Sequence, residues 1–139
     1  MPANPYGKML EDRIFTASRE ELTLMLFDGA LKFCNQAIMA LENKEIAKAG
    51  EYIVRVQDII LEFQMTLDKQ YEVSKYLNLM YDYIYRRLVD ANLGKDIEIL
   101  TEARNFIKDL RNTWKEAMKI AKSQASPASN KPGSWETGV

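Results

Sequence analysis

The stretch from Glu45 to Leu67, EIAKAGEYIVRVQDIILEFQMTL, places Ala49, Ile53, Val56, Ile60, Phe63 and Leu67 at steps of three or four residues. A helix turns about 100° per residue, so that spacing stacks all six side chains on one face and leaves the opposite side polar. Twenty-three residues of this pattern without a proline predict a long amphipathic helix, and the pattern recurs on either side. Downstream, roughly Tyr71 to Asn92, it continues with Val73, Leu77, Met80, Ile84, Leu88 and Ala91. Gly94 then offers a left-handed stop. A fourth stripe starting near Asp96 carries Leu100, Ala103, Ile107, Leu110, Trp114, Ala117 and Ala121, and it ends in lysines that suit the negative end of a helix dipole.

Upstream, Ser18 and Glu21 have the spacing of a capping box, so a first helix is expected after Ser18, running to about Asn43, with Asn43-Lys44 as a short connection. Short breaks between helices of similar length make consecutive helices antiparallel neighbours. The expected fold is all-α: an antiparallel up-down four-helix bundle over 18–122, preceded by an N-terminal arm, 1–17. Ser123 to Val139 turns to Ser, Ala, Pro, Asn and Gly. Such a composition buries too little surface to offset chain entropy, which predicts a flexible tail. Trp135 in that tail reads as a stray aromatic or as a docking anchor.

Composition narrows the function. The chain has 139 residues, 19 basic and 20 acidic side chains, a net charge of -1 and no block of like charge. That argues against a nucleic-acid partner and fits one globular domain. No basic and apolar leader opens the chain and no run of eighteen consecutive apolar residues occurs, so a cytosolic protein with no membrane insertion is expected. The lone Cys34 can form no internal disulfide and reads as a buried, inert thiol. Histidine is absent. With it go the commonest general base, the His-containing zinc sites and the Glu-x-x-His di-iron bundles. No Gly-rich phosphate loop is present either, so no enzyme, no metal and no cofactor are expected.

The first helix is unusual. Leu22, Leu26, Gly29, Phe33, Ala37 and Leu41 form one apolar face, while Leu24, Phe27, Leu31 and Ile38 form a second strip. Ala30 and Cys34 bridge the two, and the apolar arc covers roughly 240°. Either the helix is central and touches several others, or the arm (Tyr6, Met9, Leu10, Ile14, Phe15) covers the strip, or the strip receives an amphipathic or extended client. Burying four such side chains is worth at most roughly 6 to 12 kcal/mol, whereas fixing ten client residues costs roughly 10 to 20. A disordered client therefore needs further surface. Tyr76, Leu79 and Tyr83 on one flank of the third helix, with Tyr85 and Val89 on the other, are candidates, since tyrosine gives large contact area at little entropic cost.

Several motifs resemble a known family. They are Asn4-Pro5-Tyr6, Thr16-Ala17-Ser18, the run Glu21-Leu22-Thr23-Leu24-Met25-Leu26-Phe27-Asp28-Gly29-Ala30-Leu31, the run from Tyr81 to Asn92, YDYIYRRLVDAN, and Trp114-Lys115-Glu116-Ala117. In order and spacing, from about residue 4 to 121, they are similar to the FliS flagellar secretion chaperones. Arg19 stands where that family often has proline, and Phe27 where tyrosine is frequent.

The resemblance implies a bundle that binds the C-terminal segment of flagellin, disordered before assembly. It also implies prevention of premature polymerisation in the cytosol and delivery to the export gate of the flagellar type III apparatus when client-bound. The arm would lie over part of the same surface. The chain is expected to be a monomer or weak homodimer. Candidate client contacts are Tyr6, Leu10, Ile14, Leu24, Phe27, Leu31, Ile38, Tyr76, Leu79 and Tyr83. The alternative is a helical-bundle adaptor or regulatory scaffold for another amphipathic client.

Overall fold

The computed structural model describes residues 17–124. They form four helices: α1 (Arg19–Glu42), α2 (Ile46–Thr66), α3 (Val73–Gly94) and α4 (Ile97–Gln124). No strand occurs among the described residues. The arm lies outside them except for Ala17, and the tail except for Ser123 and Gln124, which continue α4.

Local chemistry sets the helix ends. The Glu21 amide donates to Ser18 Oγ at 3.1 Å, and the Ser18 amide to Glu21 Oε1 at 3.4 Å. This is the capping box expected from the spacing. Asp96 caps α4, its Oδ1 accepting from the Ile99 amide at 3.1 Å. The end of α3 differs from expectation. Gly94 remains helical, and Lys95 takes the left-handed conformation, φ 48° and ψ 48°. Lys95 turns its own Nζ back to the Asn92 carbonyl and Oδ1, which satisfies a helix-end carbonyl and offsets part of the steric cost of a left-handed non-glycine residue.

Two compact units divide the described residues: Met25–Asp109, and residues 17–24 together with 110–124. Within Met25–Asp109 the rings show how the helices run. Phe27 meets Phe63 with centroids 4.4 Å apart, and Phe33 meets Tyr52 at 6.2 Å. Residue number rises along α1 as it falls along α2, so the two are antiparallel. Phe63 with Tyr81 and Gln64 with Asn78 join α2 to α3, while Tyr83 with Phe106 and Arg87 with Glu102 join α3 to α4. Arg104 donates to Asn35 Oδ1 at 3.2 Å and brings α4 back beside α1. The result is an antiparallel four-helix bundle, as the four stripes predict.

Its core is Cys34, Ile53, Val56, Ile60, Ile84, Leu88, Leu100 and Ile107, all fully buried. At the half-buried end of the bundle, Gly50 of α2 lies close to the end of α3. A Cβ at that position would lie 3.3 Å from Lys95 Nζ and 3.4 Å from Asn92 Oδ1, so a larger side chain would have to displace these two side-chain tips by a few tenths of an ångström. In the other unit none of the described residues is buried. The Trp114 indole N–H donates to the Glu20 carbonyl at 3.1 Å and ties α4 to the start of α1.

Candidate functional site on α3 and α4

On α3 the buried row is Ser74, Tyr81, Ile84, Leu88 and Ala91. Tyr76, Leu79 and Tyr83 also step by three and four, but their row is turned away from the buried one and stays exposed at 71%, 66% and 39%. Beside Tyr83, α4 lines an open groove of about 550 Å³ with Ile97, Thr101 and Phe106 among Glu98, Glu102, Asn105 and Asp109. The Tyr83 ring stands edge-on to Phe106, centroids 5.5 Å apart at 78°.

Polar contacts hold this face in place. The Tyr83 hydroxyl donates to Glu102 Oε1 at 3.1 Å, and Arg87 Nε donates to the same oxygen at 2.9 Å. Arg87 also pairs with Asp90 at 3.2 Å, and Arg86 with Asp82 at 3.9 Å, so both arginines are engaged by neighbouring acids. The hydrogen bond to Glu102 raises the Tyr83 pKa, with smaller contributions from burial and from the Glu102 charge. Two side chains held on one carboxylate fix the Tyr83 end of the α3 row and give it a polar border, which suits binding. Among the described residues no group of His, Cys, Asp and Glu could hold a metal ion.

The first helix needs a correction. Phe27, placed by its spacing on the second strip and counted as a candidate client contact, is only 3% exposed and packs on Phe63, so another helix of the bundle covers it. Leu22 and Leu26, assigned to the core, are exposed. The buried face is centred on the residues that bridge the two strips, Ala30 and Cys34, with Phe27, Ala37 and Leu41. Small side chains at the centre let α1 approach its neighbours, and the two strips become the flanks of one face. By length and apolar content α1 could cross a membrane, but here Phe27, Gly29 and Phe33 are occupied by Phe63, Ile59 and Tyr52 of α2.

Leu31 and Ile38 remain half-buried on the flank that Asn35 ties to α4, and Leu24 is half-buried in the other unit. Tyr6, Leu10 and Ile14 lie outside the described residues. The structure thus brings Tyr76, Leu79 and Tyr83 together and keeps Leu31 and Ile38 on a separate flank. Cys34 is buried, and burial pushes its thiol up to about 12 despite the opposing charge of Arg104. Sequence reasoning missed Phe106, whose signal was an aromatic one residue off the Ala103–Ile107 stripe. It also missed Val54, Leu61 and Met65, an exposed apolar row on α2 readable from its steps of seven and four.

Comparison with known proteins places the chain in a family. The family profile for the flagellar protein FliS matches residues 2–121. The flagellar secretion chaperone FliS of Bacillus subtilis (strain 168) is 41% identical over 115 residues, 83% of this chain and 86% of the relative. That of Salmonella typhimurium (strain LT2) is 31% identical over 120 residues, covering 84% and 89%. The FliS of Escherichia coli K12 is 27% identical over 112 residues, covering 78% and 82%. With the profile spanning most of the sequence and two such relatives above 30% identity, the chain belongs to the FliS family of flagellar secretion chaperones.

Proposed function

We propose that this chain holds the C-terminal segment of flagellin in the cytosol, keeps it from polymerising early and hands it, client-bound, to the export gate of the flagellar type III apparatus. The observation that carries the reading is the exposed row Tyr76, Leu79 and Tyr83, whose Tyr83 end borders the α4 groove. A soluble bundle gains nothing by leaving two tyrosines and a leucine in water beside a groove, unless another chain covers them. The half-buried Leu31 and Ile38 lie on the α1 side of α4, whereas Phe106 points toward α3. A client using both must therefore wrap around α4, as a disordered segment can.

The test is calorimetry with intact flagellin and with flagellin lacking its C-terminal segment. Binding only to the intact protein is expected, and equal heats from both would sink the proposal. A second variant, Tyr76→Asp, should weaken that binding while the free protein melts unchanged.

A further inference from the structure

The last four turns of α4 carry Arg111, Lys115, Lys119 and Lys122 at steps of four, four and three. At about 100° per residue these fall within an arc of roughly 80°, a single basic ridge about 16 Å long. The lysines are exposed. The basic residues of α3 are arranged differently: Lys75, Arg86 and Arg87 each have an acid three or four residues away and within ion-pair distance. Among the described residues no carboxylate lies within that distance of Lys115, Lys119 or Lys122. Like charges at such spacings repel along the helix. The helix dipole accounts for Lys122, the basic residue of the last turn, but its influence ends within that turn and leaves Lys115 and Lys119 unexplained.

We infer that this ridge is a docking surface for an acidic helical segment of a partner protein, separate from the α3 and α4 client face. Charge complementarity selects the partner. A row of cations at i, i+4 spacing matches carboxylates at the same spacing on a helix laid alongside. Met118 and Ala121 border the ridge on one side and can take an apolar neighbour of those carboxylates. A membrane surface fits less well. An interfacial helix centres its apolar face with cations on both flanks, whereas here the other flank is Thr113, Ile120 and Gln124. Nucleic acid fits poorly with a net charge of -1.

The test uses the full chain and a fluorescent amphipathic helical peptide with glutamates at i, i+4 spacing, read by anisotropy at about 50 mM salt, where surface charges are weakly screened. Three further probes are the same peptide with glutamines, vesicles of phosphatidylcholine with phosphatidylserine, and a DNA duplex. The glutamate peptide is expected to bind and the glutamine peptide to fail. The triple variant Lys115→Gln, Lys119→Gln, Lys122→Gln should bind the glutamate peptide at least about tenfold more weakly with unchanged helix content. A charge-reversed triple variant, with Glu at the three positions, should instead take a peptide bearing lysines. The inference is overturned if the wild-type chain ignores the glutamate peptide, if the glutamine variant binds it equally, or if vesicles or duplex bind the ridge as strongly.

Discussion

Phe27 and Leu79 are both large apolar side chains on long helices, and their surroundings give them opposite duties. The Phe27 ring is buried against Phe63, which in turn lies 5.6 Å from Tyr81, so it joins an aromatic chain through the bundle. Phe27→Ala should cost about 3 to 5 kcal/mol, enough to lower the melting temperature by roughly 12 °C or more in calorimetry. Leu79 is 66% exposed. Leu79→Asp should leave unfolding within about 0.5 kcal/mol of the parent and still weaken client binding. Cys34 makes a third prediction. Its folded pKa, about 12, lies above the ordinary 9.0, so the protonated thiol contributes stability that is complete below about 9 and is lost as pH rises toward 12. Denaturant titrations over that window should show a steeper decline for the parent than for Cys34→Ala. Equal slopes would mean the thiol is not desolvated in the fold. At this scale the sequence showed which residues were apolar but not the phase of α1. An apolar arc of roughly 240° has no single best face, and the two small side chains at its middle decided the burial.

Elements follow from local chemistry where that chemistry is self-contained. Ser18 and Glu21 could be paired from their spacing because the capping box needs nothing beyond one helical turn. The link from α3 to α4 could not be read so directly. Glycine is the usual left-handed stop, yet Gly94 stays in the helix and Lys95 takes the turn, aided by its own Nζ bonds to Asn92. The Lys95 tip that makes those bonds also lies against Gly50 of α2, a long-range contact invisible in the local pattern. Two variants separate the contributions. Lys95→Ala keeps the backbone strain and loses the bonds, while Lys95→Gly loses the bonds and relieves the strain. Lys95→Gly should therefore be more stable than Lys95→Ala by about 1 kcal/mol in chemical denaturation. An equal loss in both would show that the left-handed turn is not strained.

Across the Met25–Asp109 bundle, apolar surface is distributed in two ways. One set fills the core, and part of the exposed remainder lies in rows: Tyr76, Leu79 and Tyr83 on α3, and Val54, Leu61 and Met65 on α2. The four stripes predicted the helix count and much of the core, but the α1 face was displaced, Val73, Ala117 and Ala121 of the expected stripes are exposed, and Tyr81, off the α3 stripe, is buried. The exposed rows were partly legible, because a helix with more apolar residues than one face can hold must show the surplus somewhere. Which surplus residues form a surface depended on how α3 and α4 face each other through Tyr83, Phe106 and Glu102. If the rows are a binding surface, a client that covers them binds the folded chain and not the unfolded one, and so raises its melting point. At a free concentration about 100 times the dissociation constant the gain is about 2.7 kcal/mol, or roughly 10 °C for a domain of this size. The flagellin C-terminal peptide should produce that shift with the parent chain, together with a negative heat-capacity change on binding from the apolar area removed from water. With Leu79→Asp at the same peptide concentration the shift should shrink while the melting point of the free protein holds. With Phe27→Ala the free protein should melt lower and still be stabilised by peptide, because its loss lies in the core. A peptide that shifted the parent and Leu79→Asp equally would place the client elsewhere on the bundle.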